Sequence, residues 1–196
     1  MRSAPALLWT LVLALIAGCN VPPSLIEVID HEREVQNYGY KVVRVIDGNT
    51  FIIDLSDKGD GASYRRVRLA GIQAPEFREF KEAGGKDARD FLQEFLRDQY
   101  VVLKFDTAFY GPPLDAEEEE APQPHIYSDP LGAYIDPDTG TIYAYVSAQG
   151  VSVNKLILQK GLARVSGTYR FSRKSVRDEY LSIEAAARRN RVGLWR

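Results

Sequence analysis

The chain predicts an α+β fold: a curled, barrel-like sheet of five strands with about three helices. Three observations carry that expectation. Short runs rich in β-branched and aromatic residues recur between turn-forming clusters, the mark of strands. Between Ala88 and Leu96 the apolar side chains switch to helical spacing. Two further helical segments follow near the C-terminus, so strands and helices interleave within one small domain. A length of 196 residues, 45% of them hydrophobic, suits a single domain with a modest core.

The elements follow in order. Residues 40–46 and 50–55 read as strands joined by Asp47-Gly48-Asn49, strong hairpin punctuation, with Asp47 bonding the turn backbone and Gly48 supplying a positive φ. A second turn, residues 57–61, leads to a strand at 64–69, so the first three strands form an antiparallel meander. Ala88, Phe91, Leu92, Phe95 and Leu96 line one face of a helix that starts near Gly84-Gly85. Residues 100–105 and 141–146 are two more strands. Residues 153–160 form a short helix that Gly161 stops in the C′ position. The last helix, 175–190, is alanine-rich and is followed by Gly193-Leu194-Trp195, in which Leu194 and Trp195 are expected to plug the core.

Ahead of this domain the chain changes character. An apolar run from Ala4 to Gly18 follows Met1-Arg2 and is shorter than the roughly 20 apolar residues of a membrane span. It reads as a secretory signal segment, residues 1–18. The run ends in Leu15-Ile16-Ala17-Gly18-Cys19, which resembles a lipobox and implies that Cys19 becomes a diacylated N-terminus. The alternative is an inert buried thiol, the common fate of a lone cysteine, but the position at the end of the apolar run favours lipidation. Asn20, in place of an aspartate, points to the outer membrane of a Gram-negative envelope rather than the inner one. Residues 19–38, with Pro22, Pro23 and a charged run, read as a tether to the domain at 39–196.

Charge is unevenly distributed. Residues 106–138 hold nine acids and no Lys or Arg, an acidic, proline-bearing insertion of the kind that forms a solvated loop. Residues 155–196 hold eleven Lys and Arg against three acids. Loss of Arg2 with the signal segment leaves 24 basic against 27 acidic residues, unfavourable overall for a polyanion partner. The basic segment is either a solvated helix face or a patch for an anionic partner such as nucleic acid. His31 and His125 have no neighbours at metal or catalytic spacing, and with Cys19 lipidated no cysteine remains for a disulfide or metal site.

Four segments resemble the staphylococcal-nuclease (thermonuclease) family, over residues 39–196. They are residues 42–50 with Asp47-Gly48-Asn49-Thr50; residues 67–76 ending in Gln73-Ala74-Pro75-Glu76; Val153-Asn154 through Gly161-Leu162-Ala163; and Glu184 through Arg188 followed by Gly193-Leu194-Trp195. The resemblance implies a five-stranded OB-type barrel with three helices and calcium-assisted phosphodiester hydrolysis. Carried over by position, it places the catalytic carboxylate at Glu76 and a phosphate-binding arginine at Arg68. It places the two calcium carboxylates at Asn49 and Gln73, and a second phosphate-binding arginine at Thr141.

Those three replacements bear directly on the chemistry. Calcium affinity rises with the number of anionic oxygens around the ion, and two amides remove two negative charges. Threonine can donate one hydrogen bond but cannot neutralise charge growing on a phosphoryl group. No Lys or Arg lies between Phe105 and Asn154, so a shifted alignment supplies no arginine there. Asp136-Pro137-Asp138-Thr139-Gly140 carries two carboxylates two residues apart, a calcium-loop fragment or, as favoured, an ordinary turn. Arg68 and Glu76 are either catalytic survivors or a structural ion pair, the second reading being favoured once their partners are lost.

The expectation is therefore a lipid-anchored, nuclease-like domain of the cell envelope that has become a binding or scaffolding module needing no cofactor. The rival is a weak or altered metal-dependent nuclease acting on DNA or RNA, for which calcium would be expected. A third reading is an envelope protein that recruits a protein partner through its acidic loop.

Overall fold

The computed structural model describes residues 39–56, 64–77, 81–106, 136 and 139–196. The signal segment, Cys19, the tether, the turn at 57–61, most of the acidic insertion, His31, His125, Pro137 and Asp138 lie outside the described residues.

Strand β1 (Tyr40–Asp47) pairs antiparallel with β2 (Thr50–Asp54), and β2 with β3 (Tyr64–Leu69), the expected meander. Strand β4 (Ile72–Gln73) is a two-residue stub, and helix α1 (Gly85–Phe95) follows it. Strand β5 (Tyr100–Lys104) returns to the other edge of β1, and β6 (Thr141–Ala148) pairs antiparallel with β5. The ring closes because β6 also runs parallel to β3, with Val67 opposite Ile142 and Leu69 opposite Ala144. Five strands thus make a closed mixed barrel with no free edge between β3 and β6. Two register shifts in β1, near Arg44 and Ile46, bend that strand as a curled sheet requires.

Alternation along β2 and β3 and through the middle of β6 decides much of what fills the barrel. Phe51 and Ile53 of β2, Val67 and Leu69 of β3, and Ile142, Ala144 and Val146 of β6 point inward and are almost fully buried. Helix α1 packs Ala88, Leu92 and Leu96 inward, with Phe91 and Phe95 stacked beside them. Helix α2 (Val153–Gln159) buries Ile157 and Leu158 and ends as expected. Gly161 has φ +65°, its N–H bonds Leu158 O, and Leu162 N–H bonds Ile157 O, a Schellman cap. Helix α3 (Lys174–Arg189) packs on α2 and buries Tyr180, Glu184 and Ala187.

The structure adds three two-residue strands that carry no periodic signal: β4, β7 (Val151–Ser152) and β8 (Arg164–Val165). Strands β4 and β8 pair as a small separate sheet, and β7 extends β6.

Two expectations need correction. Gly48 does not adopt a positive φ; a Cβ there would lie 2.5 Å from the Ala88 Cβ and 2.8 Å from the Ala74 Cβ. Close approach of the turn to α1, not turn geometry, requires the glycine. Leu194 and Trp195, in the terminal turn Gly193–Trp195, are half-buried rather than core plugs. The Trp195 ring lies under two guanidiniums, Arg188 at 4.1 Å and Arg164 at 5.2 Å from its centre.

Candidate functional site

The β1–β2 turn and the loop after β3 meet at Asn49. Asp47 Oδ1 accepts the Asn49 N–H at 2.9 Å, so Asp47 fixes its own turn as expected. Asn49 O accepts the Leu69 N–H at 2.8 Å, which ties the turn to the end of β3. The Asn49 side chain is only 2% exposed. Its Nδ2 donates to Ile72 O at 3.1 Å, and its Oδ1 accepts the Thr50 hydroxyl at 3.4 Å. An aspartate could not make the first of these bonds, since an ionised carboxylate only accepts. The amide here braces two loops.

Arg68 is the next residue of the cluster. It stands opposite Thr50 in the β2–β3 ladder and opposite Tyr143 in the β3–β6 ladder. Its neighbours Val67 and Leu69 point into the core, so its own side chain points out of the barrel. The guanidinium donates to Gln73 Oε1 at 2.8 Å, and Gln73 Nε2 donates to Ala74 O at 3.3 Å. Arg68 therefore bonds an uncharged side chain, whereas the sequence favoured an ion pair with Glu76.

Glu76 closes the same loop, three residues beyond Gln73. Its backbone is held on both sides by Glu82: Glu76 N–H donates to Glu82 Oε2 at 2.7 Å, and Glu82 N–H donates to Glu76 O at 2.8 Å. This clamp sets the loop just ahead of α1. Thr141 opens β6, is 4% exposed, and accepts the Thr139 hydroxyl at 2.8 Å. Asp136 caps the same turn, with Oδ1 accepting Thr139 N–H and its carbonyl accepting Gly140 N–H.

Hence Asn49, Arg68 and Gln73 come together through direct contacts or shared loops, Glu76 follows on the same loop, and Thr141 sits one strand over. The donor set does not match a calcium site of the family kind. Asn49 offers only a neutral amide oxygen, which accepts the Thr50 hydroxyl, and Gln73 Oε1, the one ligating atom of that side chain, already faces a cationic guanidinium. Neither position offers an anionic oxygen.

Sequence reading did not anticipate several supports. Asn154, fully buried, accepts Val146 N–H and donates to Ala70 O and Ala144 O, binding α2 to the barrel beneath the site. Glu184, 5% exposed, accepts Val165 N–H at 2.9 Å and is gripped by Arg188, which in turn covers Trp195. Asp106 is buried and accepts bonds from Tyr145 Oη at 2.6 Å, Tyr169 Oη and Ser172 N–H. Burial, then the bond to Asp106, pushes the Tyr145 hydroxyl well above its ordinary pKa. Asn154, Glu184 and Arg188 belong to the segments that carried the resemblance; only their partners were hidden.

Known proteins resemble this chain in sequence. An uncharacterized protein of Methanocaldococcus jannaschii is 27% identical over 180 residues, covering 82% of this chain and 72% of that protein. Protein ParB of Escherichia coli is 31% identical over 161 residues, covering 79% and 71%. A protein named micrococcal nuclease from Shigella flexneri is 26% identical over 201 residues, covering 100% and 88%. Residues 66–196 match the family described as staphylococcal nuclease homologue, a span that contains Arg68, Gln73, Glu76 and Thr141 and begins after Asn49. With two thirds of its length matched, and with the barrel and helices in place, this chain belongs to the staphylococcal nuclease homologue family.

Proposed function

We propose that this chain is a lipid-anchored domain of the cell envelope that binds an anionic, phosphodiester-bearing partner and does not cleave it by calcium-assisted hydrolysis. The observation that carries the reading is the Arg68–Gln73 hydrogen bond. It keeps a guanidinium at the position of a phosphate ligand while turning the neighbouring oxygen away from any metal role. With Asn49 also neutral, neither of these two positions supplies the negative charge that would gather a divalent cation or lower the pKa of an attacking water. Binding needs less: an exposed cationic surface and hydrogen-bond donors suffice. Anchoring through a diacyl group on Cys19 and a position in the outer membrane belong to the same proposal and rest on the signal segment. Recruitment of a protein through the acidic insertion remains the third reading.

A cleavage assay on labelled single-stranded and plasmid DNA, with calcium, magnesium, manganese or EDTA, tests the first part. The expected result is no metal-dependent product above the EDTA control. Metal-dependent cleavage abolished by Glu76→Gln would instead establish the nuclease reading, with calcium or another divalent ion as its cofactor. Calorimetric calcium titration gives the companion result: no heat from the wild type, and binding at least tenfold tighter in Asn49→Asp/Gln73→Asp.

A further inference from the structure

The register of the barrel pairs Thr141 with Arg66 across the parallel β3–β6 ladder. Arg66 is two residues before Arg68, so both side chains leave the barrel on the same face, about 6.6 Å apart at the backbone. Arg66 is exposed, and among the described residues its guanidinium has no hydrogen-bond or ion-pair partner. Tyr64, two residues earlier again and on the same face, is 58% exposed. One strand thus presents Tyr64, Arg66 and Arg68 in a row, beside Thr141 and Tyr143 of β6 and Ile52 and Thr50 of β2.

We infer that Arg66 and Arg68 form a two-guanidinium phosphate clamp on β3, with Arg66 supplying the cation that Thr141 does not, and with Tyr64 as a stacking platform for a base of a single-stranded nucleic acid. This rests on the binding reading above and gives it a location, the outer face of β3 rather than residues 155–196. Planar guanidiniums grip phosphate oxygens in pairs. An aromatic ring beside such cations suits a single strand, whose bases are free to stack, better than a duplex.

Two described carboxylates lie near this face, each accepting a backbone N–H. Asp54 lies opposite Tyr64, and its Oδ1 accepts the Ser56 N–H. Asp136 holds the Thr139 N–H. Arg66 is also the neighbour of Thr141 in the ladder, so an arginine at either position would start from adjacent backbone on the same face.

The test is fluorescence anisotropy of a labelled 20-nucleotide oligothymidylate with the full chain, titrated at several salt concentrations, with thermal melts confirming that each variant folds. Arg66→Gln is expected to weaken binding about tenfold and to reduce the salt slope by about 0.7, one phosphate contact on a single strand. Arg68→Gln should do the same. Tyr64→Ala should weaken binding about fivefold or more with the slope unchanged, because stacking releases no counterions. Thr141→Arg in the Arg66→Gln background should restore both affinity and slope, and Arg66→Lys should keep the slope.

Three results would overturn the clamp. One is wild-type affinity and slope in Arg66→Gln: if Arg68→Gln still loses both, the binding reading stands on Arg68 without a clamp, and if Arg173→Gln/Arg177→Gln at the start of α3 loses both, the site lies on the basic segment 155–196. Another is a folded Arg66→Gln/Thr141→Arg protein with no recovery. The last is no salt-dependent binding by the wild type, which would sink the binding reading as well.

Discussion

The amides of Asn49 and Gln73 do more than a carboxylate at either position could. An amide carries a donor as well as an acceptor, and Asn49 uses it to hold Ile72 O while Gln73 uses it on Ala74 O. Each amide builds a neutral contact at a position where the nuclease reading expects an anionic oxygen. The identities of these positions could be read along the chain, but their partners could not, because Ile72 O reaches Asn49 only once β3 has folded back. The Tyr145–Asp106 contact was hidden for the same reason: it joins groups 39 residues apart. Its effect can be measured. Tyr145→Phe removes a short donor to a buried carboxylate and should cost about 1–3 kcal/mol at neutral pH by denaturant unfolding. The Tyr145 pKa is raised on folding, so its contribution is complete below the ordinary value of 10.0 and is lost as the pH rises through the higher folded value. The stability gap between wild type and Tyr145→Phe should therefore hold steady to about pH 10 and shrink above it.

Among the elements, those with a strong period were legible within a residue or two. Runs of β-branched and aromatic residues between turns mark β1 to β3, β5 and β6, and the Ala88–Leu92–Leu96 stripe marks α1. The Gly161 cap of α2 was legible too, since a left-handed residue ending a helix is a local matter. Strands β4, β7 and β8 were not, because two residues carry no period and pair only where the tertiary structure brings another backbone alongside. Gly48 shows how a correct residue can be given the wrong reason. Turn chemistry suggested a positive φ, whereas the glycine lets the β1–β2 turn approach α1 closely. Gly48→Ala should therefore destabilise the protein by about 1–3 kcal/mol through overpacking against Ala88 and Ala74. Substituting Ala88 by Gly in the same chain should recover part of that loss, an outcome that backbone strain at position 48 would not produce; paired chemical denaturation curves would tell the two apart.

For the whole molecule, the barrel presents one face of β3 with two arginines while the acidic insertion and the basic C-terminal segment lie in other parts of the chain. Net charge is thus a poor guide to what this surface attracts, and the local face governs. The proposed anchor belongs at this scale as well. Cys19→Ser should move the protein from the membrane fraction to the soluble fraction and abolish incorporation of labelled palmitate. A Cys19→Ser protein that remains membrane-bound with its label intact would rule out lipidation there.

The order of elements, the five barrel strands and the helices could be read from the chain, because β-branched runs, helical period, turn chemistry and motif spacing are local properties of the residues. The adjacency of Arg66 and Thr141, the neutral bonds made by Asn49 and Gln73, and the Glu184–Arg188–Trp195 brace depended on folding. They arise from strand register and packing between segments distant in the chain, and register is set by which side chains the core accepts, a choice the whole barrel makes at once.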